Sequence, residues 1–294
     1  MNKNNGGSKA YKIFSIIALI VLALLFLFPL YWILTGAIKT PKAINARVPQ
    51  WFPTEFTTRN FEVLFSKRSA PLFQFGPITG PTVPAAIRWL LNTVFMAVAA
   101  MLLTCLTASM AGYALAKKRF TGRTILFSLI VAAMALPKQV VLLPLIREMS
   151  ALGLYNTIWA VIFPTVGWPF GVFLMKQFAE GIPGEMLEAA RIDGASELRT
   201  FTTIVYPMVK PGVGALAIFT FISSWNDYFL QLIMLSSNVN YTISLGIATM
   251  QAENSTDYGL IMAGASLAAI PIIIVFLIFQ KYFTKGITMG AVKG

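Results

Sequence analysis

Long apolar runs and short polar breaks alternate along the chain. Predominantly apolar stretches cover approximately 13–38, 89–115, 124–146, 157–178, 209–235 and 258–282, each near or above the ~20 helical residues that cross a hydrocarbon core about 30 Å thick. The pattern predicts an all-α polytopic membrane protein: six transmembrane helices in a single transmembrane domain over 1–294. Prolines fall inside the third to sixth runs, at Pro137, Pro144, Pro164, Pro169, Pro211 and Pro271. Each deletes a backbone hydrogen bond and can bend its helix, although proline is also generally frequent in membrane helices.

The polar breaks orient the spans. Between the second and third runs lies a short, wholly basic connection with Lys117, Lys118, Arg119 and Arg123, which belongs on the cytoplasmic side because Lys and Arg collect there. Six spans then place both termini in the cytoplasm, with Lys3, Lys9 and Lys12 at one end and Lys285 and Lys293 at the other. The connection Ser236–Asp257 has no Lys or Arg and is expected outside. The stretch 39–88 holds seven basic residues yet must face outward; its length approaches the limit at which the charge rule stops applying. Rich in proline and aromatic residues, it reads as an outer loop with short interfacial helices. The first run is about twice a signal-peptide h-region and has no persuasive small-x-small cleavage site, so it reads as a membrane helix.

Composition narrows the chemistry. Of 294 residues 57% are hydrophobic and 12% charged, with a mean hydropathy of +0.72, outside the range of soluble domains. The 23 basic residues exceed the 11 acidic ones, a topology signal on so apolar a chain, and no nucleic-acid partner is expected. With no histidine and one cysteine, Cys105, inside an apolar run, zinc sites, Ser-His-Asp triads and intrachain disulfides are excluded. No GxxxxGK[ST] phosphate loop occurs, so the chain is expected to bind no ATP itself and to carry no catalytic residue, metal or cofactor.

The most polar cytoplasmic segment, 179–208, separates the fourth and fifth runs and holds five of the eleven acids. Pro183 suits the first position of a helix, and Glu185 and Glu188 follow where the helix dipole favours negative charge. Gly194 ends this helix by accepting a left-handed conformation, and 195–203 forms a second short helix. Ala189 and Ala190 leave one face small enough to enter a cleft. An amphipathic helix resting on the membrane surface would place basic residues at the headgroups; this segment is acid-rich and reads as a docking element.

Glu188, Ala189 and Ala190, then Asp193 and Gly194, then Ile204 and Pro207, form a spaced pattern that resembles the EAA loop of the permease subunits of binding-protein-dependent ABC importers, with Tyr206 where leucine is usual. The sequences 52–61 (FPTEFTTRNF), 111–116 (AGYALA), 225–227 (WND) and 290–294 (GAVKG) are similar to the carbohydrate branch of that family. The resemblance implies the type I ABC importer permease fold and a subunit of an ATP-driven importer for a mono- or oligosaccharide in a prokaryotic cell membrane. Its implied partners are a second permease subunit, two ABC ATPase subunits that carry ATP and Mg2+, an extracytoplasmic sugar-binding protein, the sugar and membrane lipid. It implies further that 179–208 is the coupling helix seated in a groove of the ATPase. The tail Gly290, Ala291, Val292, Lys293 and Gly294, within 283–294, would reach between the two ATPase subunits; a frayed terminus is the alternative.

A secondary transporter, the rival class, would show intramembrane charges forming an ion pathway. The spans hold only Lys138 and Asp227 as clearly internal charges. Trp225, Asn226, Asp227 and Tyr228 combine aromatic and polar groups able to bind sugar hydroxyls, or else form a polar interface with the second permease subunit. Non-sugar solutes such as glycerol phosphate remain a further alternative.

Overall fold

A computed structural model describes residues 5–253 and 257–291, and the chain in it is almost wholly helical. Helix α1 (Asn5–Gly36) is apolar around its whole circumference, and along Tyr11–Gly36 it exposes nearly every large side chain. Lipid or another subunit must cover it. The outer segment follows, with α2 (Pro41–Ile44), α3 (Arg59–Ser66) and strands β1 (Ser69–Pro71), β2 (Gln74–Phe75), β3 (Ile78–Thr79) and β4 (Thr82–Pro84). Strand β1 pairs antiparallel with β4, with Ala70 opposite Val83, and β2 pairs with β3. The expected short helices are therefore joined by a nested β-ribbon that the proline-rich sequence had concealed.

Two of the outward basic residues are absorbed by backbone. Lys39 is buried, donates to the carbonyl of Gln50 at 2.5 Å and lies 4.3 Å from the Trp32 ring centre. Arg88 donates to the carbonyls of Val239 and Leu72.

Helix α4 (Ala85–Lys117) is the spine of the bundle. Its buried stripe is mostly small, with Ala86, Ala97, Ala100, Ala108 and Gly112, so neighbouring backbones approach closely. A Cβ on Gly112 would lie 2.6 Å from the backbone of Met175 and Lys176.

The next three apolar runs are not straight spans. Helices α5 (Arg123–Ala133) and α6 (Lys138–Ala151) meet at 106°, and α7 (Trp159–Val166) and α8 (Pro169–Glu180) at 40°. Proline stands at both breaks, Pro137 capping α6 and Pro169 opening α8, where its missing N–H costs least. Pro144 and Pro164, by contrast, lie within helices. The fifth run divides into α12 (Lys210–Asn226) and α13 (Tyr228–Met234), separated at Asp227. With the stretch Glu197–Met208, which meets α12 at 78°, as the third bent pair, three long helices and three bent pairs supply six crossings if each bent pair is one span.

The connection expected outside at 236–257 contains α14 (Ile243–Glu253), whose Ile243, Leu245 and Met250 are buried. Thr93 Oγ1 accepts the Ile243 N–H at 2.8 Å, and Gly246 sits against Trp89, where a Cβ would come within 2.1 Å of the ring. This segment turns back into the bundle instead of remaining a surface loop. The last helix, α15 (Tyr258–Ala291), packs on α12, α1 and α14, and its backbone stays helical beyond the expected end of the span at 282.

Candidate functional site

The segment between α8 and α12 is built from short pieces with definite ends. Helix α9 spans Gly184–Ile192, so Pro183 is its N-cap (φ −60°, ψ 136°), one residue earlier than expected. Glu185 lies in the first turn and Arg191 in the last, complementing the helix dipole at both ends. Asp193 is the C-cap and Gly194 takes φ +73°, which lets Ala195 N–H reach back to the Ala190 carbonyl at 2.9 Å and Gly194 N–H to that of Arg191 at 3.1 Å. Ser196 then caps α10 (Glu197–Thr200), accepting from Arg199 N–H at 3.3 Å. A π-helical turn, Phe201–Val205, leads into α11 (Tyr206–Met208). Ile204 is half-buried in the wide turn, and Pro207 is exposed just beyond it. From Glu197 to Met208 the chain runs at 78° to α12, which it joins at Val209.

The two alanines part company. Ala190 is buried against the bundle, whereas Glu188 and Ala189 are exposed. Instead of an alanine pair, the outward face offers Glu188, Ala189, Ile192, which is 86% exposed, and Leu198, which is 67% exposed. Sequence reasoning passed over Ile192 and Leu198, although the signal was present: Leu187 and Ala190 share one stripe at i, i+3, and Ile192 falls off it.

The basic connection of the second and third runs also holds this segment. Lys117 Nζ donates to the carbonyls of Glu180 at 3.0 Å and Ile182 at 2.6 Å, immediately before α9. Lys118 Nζ lies 2.5 Å from the Glu197 carboxylate, at the start of α10, and 5.1 Å from the Tyr113 ring centre. The end of α4 therefore grips the segment on both sides of Gly194. Its hydrogen bond to Lys118 holds the Glu197 carboxyl below the usual carboxylate range. Partial burial works against the Lys118 charge, but hydrogen bonds to Glu197 and Tyr113 outweigh it and raise the ammonium above its ordinary value. Among the described residues Glu185, Glu188 and Asp193 form no ion pair.

The expected intramembrane cluster is not one surface. Trp225 is 1% exposed and packs on Phe221, 5.4 Å between ring centres, so it belongs to the core and has no face open to a solute. Asn226 is exposed and donates to the Ile222 carbonyl at 2.9 Å; Tyr228 is half-buried. Asp227 alone joins the other internal charge: its Oδ2 lies 3.3 Å from Lys138 Nζ, across from the start of α6, while its Oδ1 accepts the Leu230 N–H at 3.4 Å and caps α13. Gln231 is wholly buried, bonded to the Ser224 carbonyl and to Thr242 at 2.6 Å, and secures the break after α12. In the tail, Gly290 and Ala291 lie in the helical backbone of α15, while Val292, Lys293 and Gly294 lie outside the described residues. Among the described residues no three His, Cys, Asp or Glu side chains gather as a metal site.

Residues 106–289 match the family described as binding-protein-dependent transport system inner membrane component. The arabinooligosaccharides transport system permease protein of Bacillus subtilis is 34% identical, over 97% of this chain and 96% of the relative. The melibiose/raffinose/stachyose import permease protein of the same organism is 31% identical over 98% of each. Among solved structures, a bacterial ABC transporter involved in the import of the acidic polysaccharide alginate superposes with a TM-score of 0.76 at 20% identity, covering 96% of this chain and all of that one. The matched region takes in the whole 180–208 segment and every broken span, and the full-length relatives are transport permeases: this chain belongs to the family of binding-protein-dependent transport system inner membrane components.

Proposed function

We propose that the chain is the membrane-spanning permease subunit of an ATP-driven importer for a mono- or oligosaccharide in a prokaryotic cell membrane. The substrate class is supported by relatives matched over nearly their whole length, whose names specify arabinooligosaccharides and melibiose, raffinose or stachyose. The observation that carries the coupling role is the acid-rich, outward-facing 180–208 segment, gripped at both ends by α4 and continuous with α12.

In this reading α9 and α10 seat in a groove of one of the two partner ATPases, which bind the ATP and Mg2+. Ile192, Ala189 and Leu198 enter the groove, and Glu185, Glu188 and Asp193 face its cations. Gly194 sets the angle between the two helices. When the ATPases close, the segment moves as one piece because Lys117 and Lys118 tie it to α4, and the motion reaches α12 through the π-helical turn, a wide helical form that recurs at functional positions. A second permease subunit covers the apolar faces, among them α1; an extracytoplasmic sugar-binding protein delivers the sugar to the outer segment; Gly290–Gly294 contacts the ATPases.

Co-purification tests the assembly: an affinity-tagged chain expressed with its neighbouring genes brings down an ATPase and a second permease in one particle. Recovery of the chain alone from membranes containing both would overturn the reading.

A further inference from the structure

Three helix breaks line the same cavity. It measures about 300 Å³ and is lined from the α5–α6 break, the α7–α8 break and the α12–α13 break, with Lys138, Gln139, Thr165, Trp168, Ser223 and Asp227 as its polar and aromatic walls. Helix discontinuities in a bilayer leave backbone groups without partners, and transporters place substrate sites at such points because the cavity they line satisfies those groups. The volume falls at the small end of ligand pockets, ~300–1,000 Å³, suited to one ring and not to a chain of them.

The wall chemistry narrows the ligand. Lys138 and Asp227 are the only charged side chains lining the cavity, so its net charge is zero. The pair is not sealed off: the Lys138 side chain is 62% exposed and that of Asp227 21%. An ammonium with spare N–H donors beside a carboxylate with spare lone pairs presents a donor and an acceptor side by side, the complement of neighbouring hydroxyls on a sugar. Trp168 lies half-buried at the α7–α8 break and supplies an apolar ring face. A charge pair in hydrocarbon is costly unless it faces protein or water. We propose that this cavity is a subsite for one uncharged glycosyl unit in transit, with Asp227 accepting and Lys138 donating hydrogen bonds to hydroxyls and Trp168 stacking on the ring. Anionic sugars are disfavoured because Asp227 cancels the attraction of Lys138. The inference rests on the sugar-importer reading.

The test uses the assembled complex in nanodiscs, without binding protein, and saturation-transfer NMR with raffinose, arabinotriose and trehalose as neutral probes and trigalacturonate as the anionic one. Binding-protein-dependent uptake of the three neutral sugars by proteoliposomes is measured in parallel. The parental complex is expected to transfer saturation to a neutral sugar and not to trigalacturonate. Asp227→Asn leaves Lys138 unbalanced and should raise the ratio of anionic to neutral signal by about tenfold, and Trp168→Leu should lower the neutral signal by about tenfold without changing that preference. Uptake with no saturation transfer in the parental complex overturns the subsite alone; uptake of none of the sugars overturns the importer reading beneath it. Unchanged signals in both variants place any binding elsewhere and overturn the proposal. So does loss of the second permease from both variant particles, which would make the cavity wall a subunit interface.

Discussion

The segment 180–208 and the cavity inside the bundle use charge in opposite ways. In the first, Glu185, Glu188 and Asp193 are exposed with no ion pair among the described residues, and Glu197 is taken up by the protein itself, through Lys118. Inside the bundle Lys138 and Asp227 neutralise one another. Dielectric accounts for the contrast. A carboxylate in water costs little to leave uncompensated and so can be presented to a partner, whereas one in hydrocarbon requires a partner within its own chain or beside it. The two regions share α8 and α12, whose Pro169 and Ser223 line the cavity and whose other ends meet the segment, so motion at one need not pass through loops to reach the other.

The sharpest way to break the comparison is to remove the spine both regions depend on. Gly112→Leu places a side chain against the backbone of α8, 2.6 Å from its nearest atoms at Cβ alone, and overpacking of this kind costs about 1–3 kcal/mol or more when backbone must move. The expected outcome is loss of folded protein, visible as collapse of the monodisperse peak in detergent; a normal melting curve would show that α4 and α8 are free to separate. Next in size are Gly194→Val and Glu188→Lys, which alter only the outward segment. A β-branched residue at φ +73° costs roughly 1–2 kcal/mol or more, and a reversed charge meets whatever cations line the partner groove. Both variants should insert normally and lose most sugar uptake, with Ile192→Asp behaving alike; near-parental uptake would remove the coupling role.

Smaller effects sharpen the picture. Glu197→Gln releases one of the two grips of α4. Because Lys118 lowers the Glu197 pKa, the stabilisation is complete above the ordinary carboxylate range and is lost as pH falls through the lowered folded value. Because Lys118 is itself raised, its share persists below the ordinary lysine value and fades as pH rises through the raised one. Glu197 is two-thirds exposed, so solvent screening keeps the effect below about 1 kcal/mol. Hydrogen-exchange protection factors at 195–200, corrected for the intrinsic pH dependence of exchange, should fall at acid pH in the parental protein and be low already at neutral pH in the variant; identical profiles would dismiss the grip. Deleting 290–294 is expected to change least, lowering transport-linked ATP hydrolysis while insertion stays intact. Orientation is checked with single cysteines at Ser66 and Ser196 in a Cys105-free background, which an impermeant reagent should label from opposite sides.

Hydrophobic runs and spaced polar residues along the chain were enough to delimit six apolar segments, to locate the acid-rich segment between the fourth and fifth and to place a left-handed turn at Gly194, because each of these is a local property of length, solvation or backbone conformation. Local information could not say that 236–257 re-enters the bundle, since whether Ile243, Leu245 and Met250 are buried depends on Trp89 and Thr93, about 150 residues earlier in the chain. Nor could it separate Trp225 from Asp227: the two lie two residues apart, Asp227 stands at the break after α12, and only the packing of Phe221 against one and Lys138 against the other sends the first into the core and the second into the cavity. The prolines were visible as bends, but that three breaks meet around one volume is a fact of assembly, set by how closely the small residues of α4 let its neighbours approach.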